Sequence, residues 1–306
     1  MISQVNGLAN KFGKDIDNIK ADLIFPWSIL QPGLLPTYKW IFKNNINLDD
    51  KPNIIISCGR KSVYLSLYLK KIYSNNIITI HIQNPKTNFL KFDYIISPNH
   101  DGIKGDNVIN SIGAIHHFTK EKLKNVVDFS FLPKKNLVSI IIGGKNNHYE
   151  FSKKNLFDLI DKIKFLKRKY LDHNFLVIKS RRTDKDFVTI LEQNLSNIAH
   201  VWNDQTDNPY GFALKNSKFF IVTSDSTSMI SECASTGSPI YIYHLPFKRK
   251  SKRMEFFHNE FEKLNITQKI SNNLNLNDQH YEILDEAKRI SGIIKERIIK
   301  GLNESR

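Results

Sequence analysis

Apolar residues fall into short, continuous, β-branched runs at 53–57, 77–82, 94–96, 138–142, 175–178, 219–222 and 239–243, each closed by a glycine or a polar turn. Continuous rather than alternating character predicts strands covered on both faces, as in parallel sheets. Between them the period becomes helical, over 62–73, 152–170, 186–195 and 228–236. Short strands alternating with helices of about 10–15 residues predict βαβ units and a doubly wound α/β fold. The alternation pauses over 128–136, where Leu132-Pro133-Lys134-Lys135-Asn136 is polar and carries a proline. The boundary is placed there, between a Rossmann-like domain over 1–133 and a second over 134–275. A last apolar stripe (Ile283, Leu284, Ala287, Ile290, Ile293, Ile294, Ile298) predicts an amphipathic helix over 278–300, within a terminal segment 276–306. Gln4 to Ala9, followed by Phe12-Gly13, predicts a helix with no strand ahead of it, so the first domain is expected to lack its first strand.

Composition narrows the class. At 306 residues the chain has room for about two domains, and 41% hydrophobic with 11% aromatic residues excludes wholesale disorder. Lys and Arg number 45 against 30 Asp and Glu, a net charge of +15 that favours an anionic partner: a nucleotide, a phospholipid surface or a nucleic acid. Two cysteines, Cys58 and Cys233, cannot supply a disulfide framework, and a reduced, cytoplasmic chain is the expectation. No apolar run reaches the ~18 residues of a membrane helix. The start, Met1-Ile2-Ser3-Gln4, carries no basic region ahead of an apolar core, so no signal peptide is expected.

Chemistry concentrates where strands end. Ile56-Ser57-Cys58-Gly59-Arg60-Lys61-Ser62 joins a strand to a helix, and such a junction presents backbone N–H groups to an anion or a carbonyl. Arg60 and Lys61 suit a phosphate or are solvated charges of an ordinary turn; Cys58, with no base nearby, reads as a small core residue. Ile142-Gly143-Gly144-Lys145 opens the second domain and allows close backbone approach, but it has neither dinucleotide nor P-loop spacing. In Lys179-Ser180-Arg181-Arg182-Thr183 two guanidinium groups match a diphosphate. Thr223-Ser224-Asp225-Ser226-Thr227-Ser228-Met229 holds more hydroxyls than a helix cap needs, and Glu232, one turn on, suits a ribose diol. Asn99-His100-Asp101-Gly102 offers a general base or a hydrogen-bonded turn. The ten histidines show no metal-ligand spacing and no serine-nucleophile elbow exists.

Taken in order, 52–60, Gln83-Asn84-Pro85, 92–101, Gly105 to Val108, Gly113 to His116, Gly143-Gly144, Ser180 to Thr183, Asn208-Pro209-Tyr210 and 223–237 resemble the mitochondrial-fission "elongated mitochondria" family of plants and alphaproteobacteria, over roughly residues 4 to 265. Bacterial members are often labelled nucleoside-diphosphate-sugar epimerases. The order also resembles GT-B glycosyltransferases that add N-acetylglucosamine to a lipid-linked precursor, with His81-Ile82-Gln83-Asn84, Glu232, Gly237 and Pro239 at that family's places.

The resemblance implies a GT-B-like α/β fold, two Rossmann-like domains with parallel sheets facing a central cleft. It implies a nucleotide-sugar-dependent, metal-independent glycosyltransferase whose donor is a substrate rather than a cofactor. Gly143, Gly144, Ser180, Arg181, Arg182, Thr183, Asn208, Tyr210, Ser224, Asp225, Ser226, Ser228, Met229 and Glu232 would bind the nucleotide sugar. Cys58, Gly59, Arg60, Gln83 and Asn84 would lie on the acceptor side; the base candidates His100 and Asp101 come from the residues themselves, since that family's catalytic-histidine loop has no counterpart here. The expected partners are a nucleoside-diphosphate sugar and a lipid-linked acceptor, with no nucleic acid. The different-class alternative is a non-catalytic adaptor at a membrane surface. Lys248, Arg249, Lys250, Lys252 and Arg253, flanked by Phe247, Met254, Phe256 and Phe257, predict peripheral contact with the inner face of a membrane.

Overall fold

A computed structural model describes residues 1–44, 46, 51–73, 77–271 and 275–304. The chain packs as two compact units, Met1–His117 with Asp285–Arg306, and Phe118–Leu284. The break therefore lies at His117/Phe118 and not at 133/134. The reason is packing: Leu132, with Val126 and Phe129, joins a cluster with Trp202, Phe212 and Ala213 of the second unit. The Lys215 ammonium also donates to Val126 O at 2.9 Å.

In the first unit, strands β1 (Ile54–Cys58), β2 (Ile78–Ile82), β3 (Tyr94–Pro98) and β4 (Val108–Ser111) form one parallel sheet in that order. Helix α1 (Ile2–Ala9) brings Leu8 onto it. Helix α2 (Arg60–Tyr73) follows β1 and turns Val63, Tyr64, Leu65 and Leu69 inward.

The second unit begins with the short α3 (Lys120–Lys124). Its sheet has β5 (Leu137–Ile142), β6 (Asn174–Lys179), β7 (His200–Trp202), β8 (Ser217–Thr223), β9 (Ile240–Tyr243) and β10 (Thr267–Lys269), all parallel, in the order β10-β9-β8-β5-β6-β7. Helix α4 (Lys153–Lys169) places Leu156, Leu159, Ile160, Ile163 and Leu166 in the core. The remaining helices are α5 (Lys185–Leu195), α6 (Tyr210–Asn216), α7 (Thr227–Ala234) and α8 (Lys252–Lys263). Two parallel sheets with interleaved helices are the α/β class that the apolar runs predict.

The order of the second sheet positions the site. From β5 the chain steps outward to β6 and β7, then crosses back to β8 on the other side of β5. The carboxyl ends of β5 and β8 are thus a topological switch point, where open α/β sheets bind ligands.

Two expectations are corrected. The terminal helix, α9, runs over Glu286–Glu304 and starts later than residue 278. Asp285 Oδ1 accepts from Lys288 N at 3.0 Å and caps it there. Its Ala287, Ile290 and Ile294 pack with Leu8, Ile80, Ile96 and Ile109, so the chain's end returns to the first sheet. The cationic, aromatic segment is largely helix α8, with Met254 5% and Phe257 0% exposed. Phe247 stacks on Tyr149 with ring centres 4.6 Å apart. Packing therefore explains most of the apolar residues read as a membrane face, and of the three phenylalanines and the methionine Phe256 alone is more than half exposed, at 51%.

Candidate functional site

The turns after β5, β6 and β8 meet at the switch point. Thr223, the last residue of β8, accepts from Gly143 N at 2.8 Å and donates to Asp225 Oδ1 at 2.6 Å. Asp225 Oδ2 accepts from Gly144 N at 3.1 Å and from the Arg182 guanidinium at 2.6 Å. The Asp225 side chain is fully buried, while the Arg182 side chain is 41% exposed. Burial raises the Asp225 pKa, and the Thr223, Gly144 and Arg182 contacts oppose that shift. Thr183 Oγ1 lies 2.6 Å from Gly143 O and accepts from Ser180 N at 3.0 Å, and Ser180 Oγ accepts from Arg182 N. The three turns are one hydrogen-bonded body with Asp225 at its centre.

This geometry changes several assignments. A Cβ on Gly143 would collide with the Asp225 carboxylate, and one on Gly144 with the Arg182 carbonyl. Both glycines therefore make room for the protein's own groups. Arg182 is committed to Asp225, which leaves the exposed Arg181 as the guanidinium open to a diphosphate. Ser224 is buried and structural: its Oγ accepts from Leu245 N at 3.0 Å, and His258 Nε2 lies 2.9 Å from its carbonyl. Asn208 Oδ1 accepts from Tyr210 N and starts α6. Each of these residues thus has an internal contact that helps build the site.

What faces outward is the first turn of α7. Ser226 is its N-cap and accepts from Met229 N, Ser228 is exposed, and Thr227 and Met229 are half-buried. One turn on, Glu232 Oε2 accepts from the Tyr210 hydroxyl at 2.5 Å. Burial pushes the Glu232 carboxyl up to about 7, with the Tyr210 bond pulling it down, and burial likewise raises the Tyr210 phenol. Tyr210 is edge-on to Phe118 at 5.7 Å. The helix start, Arg181 and the Tyr210–Glu232 pair thus sit around the switch-point turns.

Two contributors carried no motif. Asn146 Nδ2 donates to Asp225 O at 3.2 Å, and His258 reaches Ser224 from α8. Met254, Phe257, His258 and Phe261 share one face at helical spacing, and that period is the signal that places His258 inward. A separate pocket of about 890 Å³ lies against this region, bounded by Tyr149, Asp158, Tyr243, His244, Phe247 and His258. None of the site residues assigned from sequence lines it.

In the first unit, Gln4 gathers the acceptor-side residues. Its Oε1 accepts from Gln83 Nε2 and from the Cys58 thiol, each at 3.1 Å. Burial raises the Cys58 thiol to about 11, which fits a core cysteine and not a nucleophile. Gly59 has φ +89° and its missing side chain makes room for Met1. The Arg60 guanidinium donates to the carbonyls of Ser28, Ile29 and Leu30, so it pins a loop and does not await a phosphate. Asn84 Oδ1 accepts from Lys86 N and forms a turn. His100 lies in a 3₁₀ turn, Asn99–Asp101, with its side chain 1% exposed and its Nε2 3.8 Å from Asp101 Oδ1. Among the described residues, no group of three or more His, Cys, Asp or Glu side chains is placed to hold a metal ion. Among them too, no helix is long and apolar enough to cross a membrane.

The chain is similar to a protein family, to two relatives and to two solved structures. The family model described as mitochondrial fission ELM1 matches residues 1–298. An uncharacterised protein of Rickettsia prowazekii is 28% identical over 290 residues, covering 80% of this chain and 79% of that protein. The mitochondrial fission protein ELM1 of Arabidopsis thaliana is 26% identical over 223 residues, 63% of this chain, which spans only about half (52%) of the plant protein's length. Among solved structures, the UDP-GlcNAc 2-epimerase of Methanocaldococcus jannaschii is similar at TM-score 0.49 and 13% identity, covering 80% of this chain and 77% of that one. The MurG of Acinetobacter baumannii is similar at TM-score 0.39 and 10% identity, over 79% and 65%.

Proposed function

The chain belongs to the mitochondrial fission ELM1 family, and from that premise we propose that it binds a nucleoside-diphosphate sugar at the switch point of its second sheet and acts as a glycosyltransferase. The observation that carries this reading is the convergence, at one switch point, of the α7 start, the open Arg181 and the half-buried Glu232 with its Tyr210 partner. Backbone N–H groups of the first turn of α7 and the Arg181 guanidinium neutralise the diphosphate. As the sugar leaves, the same donors stabilise the charge that grows on the leaving diphosphate. Glu232 accepts from the ribose hydroxyls while Tyr210 fixes its carboxylate. Asp225, Thr223 and Arg182 hold the turns in place and do not touch the donor. The acceptor is lipid-linked, and the cations Lys248, Arg249 and Lys250, all exposed, attract the anionic membrane that carries it.

One observation favours the non-catalytic adaptor instead. Arg182, Gly143, Gly144 and Ser224 are all occupied by internal contacts. A thermal-shift panel of nucleotide sugars, followed by a radiolabelled transfer assay on membrane extract, separates the readings. Stabilisation by one nucleotide class together with label in the lipid fraction supports the enzyme. Stabilisation with no transfer supports the adaptor, and no stabilisation by any nucleotide sinks the binding site itself.

A further inference from the structure

The segment 25–43 of the first unit carries five exposed large apolar side chains: Phe25 (74%), Ile29 (63%), Leu34 (67%), Tyr38 (44%) and Trp40 (59%). Such a concentration marks a surface that is covered in use. The segment is pinned from beneath. Trp27 Nε1 donates to Pro36 O at 2.9 Å, the Tyr64 hydroxyl donates to Gln31 O at 3.1 Å, and Arg60 holds the carbonyls of Ser28, Ile29 and Leu30. Leu23 bridges Phe42 across its base, and Trp27 meets Trp40 edge-on at 5.0 Å. The outward apolar groups are therefore held in place before any partner arrives, so little ordering entropy opposes binding.

We propose that this segment is the part of the protein that enters a bilayer, inserting Phe25, Leu34, Tyr38 and Trp40 into the interfacial layer of an anionic membrane. The inference rests on the membrane-contact part of the proposed function and assigns its apolar element, since Met254 and Phe257 of the cationic segment are core. Two features select a lipid surface. Trp and Tyr, stacked here as Tyr38 on Trp40 at 5.7 Å, are the side chains that settle at membrane–water interfaces. Residues 25–43 contain no Asp or Glu, while Lys39 and Lys43 are exposed within them. The nearby Asp22 is neutralised by Lys20 at 3.2 Å and Lys61 at 3.5 Å. An apolar, cationic face complements an anionic leaflet.

The chain carries its own reporter. Of its three tryptophans, Trp27 and Trp202 are 8% exposed and Trp40 is 59% exposed. The full chain is mixed with phosphatidylcholine/phosphatidylglycerol vesicles whose acyl chains are brominated near the interface. Quenching of wild-type tryptophan emission, lost in Trp40→Phe while that variant still co-sediments, is the expected result. Phe25→Ser/Leu34→Ser/Trp40→Ser, checked for an unchanged melting temperature, is expected to co-sediment roughly tenfold less. Wild-type sedimentation without quenching, or equal sedimentation of the triple variant, overturns the inference and leaves cationic attachment standing. A wild-type dimer that the triple variant abolishes, with no vesicle binding, assigns the surface to a second copy and also overturns it. Absence of sedimentation at low salt removes the membrane part of the proposed function as well. Nucleotide binding, measured on the same samples by calorimetry, reports independently on the donor site.

Discussion

Asp225, just ahead of α7, and Glu232, within it, are two carboxyl groups with different roles. Asp225 is buried, donor-rich and paired, and Glu232 is half-buried with a single phenol. Replacing Arg182 with Gln removes a charged partner from a buried carboxylate and should cost about 1–3 kcal/mol of stability. Replacing the exposed Arg181 with Gln should leave stability unchanged and weaken UDP far more than uridine. Urea unfolding and calorimetric titration of both variants check the division of labour; equal effects of the two would refute it. For Glu232 the sign follows from the direction of its shift. A carboxyl raised from 4.5 to about 7 favours the folded state while protonated. That contribution is complete below the ordinary carboxyl range and is lost as pH rises through about 7. Wild type should therefore lose up to ~3 kcal/mol relative to Glu232→Gln between pH 5 and pH 8. Parallel stability curves for the two proteins would contradict the shift. The residue types at the site were legible as a cluster, but their roles were not. The stretch 223–228 reads as an excess of hydroxyls, whereas the fold spends Thr223 on a bond to the turn after β5 and Ser224 on one to Leu245, just past β9. Sequence spacing carries no information on which of several neighbouring polar groups turns inward.

At the scale of elements, the strands legible in the chain are those with an unbroken apolar run: β2, β3, β5, β6, β8 and β9 inside the sheets, and β1, an edge strand that keeps Ile54-Ile55-Ile56. The strands that escaped are β4, β7 and β10, all at sheet edges. Val108-Ile109-Asn110-Ser111, His200-Val201-Trp202 and Thr267-Gln268-Lys269 are three or four residues long and mix polar with apolar, because an edge strand needs less cover. Helix α8 was hidden for a different reason: its cations dominate a segment whose apolar period, Met254, Phe257, Phe261, is ordinary for a core helix. The glycines after β5 test how tightly the elements meet. Gly143→Ala drives a methyl into the Asp225 carboxylate, so it should destabilise by about 1–3 kcal/mol. Gly13→Ala, with open space around its Cα, should leave the melting temperature unchanged. Indistinguishable melting temperatures for the two variants would show that the β5 and β8 turns are looser than described.

For the molecule as a whole, two parallel-sheet units were expected, and the return of α9 to the first unit was not. Its stripe is visible in the sequence, but an amphipathic stripe does not name the sheet it will cover. Ile290 is fully buried against the first unit's core. Ile290→Ala should cost about 2–5 kcal/mol and raise hydrogen exchange in β1 to β4 while β5 to β9 stay protected. Loss of protection throughout would mean that the two units unfold as one. The net charge of +15 belongs to this scale too, since it predicts salt-sensitive association with any anionic partner, and it cannot identify that partner alone. The donor site can be tested without knowing the acceptor. The most direct measurement is a calorimetric titration of UDP, ADP and their parent nucleosides into the wild-type chain and into Glu232→Ala. The account predicts that one diphosphate binds far more tightly than its nucleoside, and that Glu232→Ala weakens it by about 1–3 kcal/mol. No heat from any diphosphate, or equal affinity in the two proteins, would contradict a nucleotide site at the β5–β8 switch point.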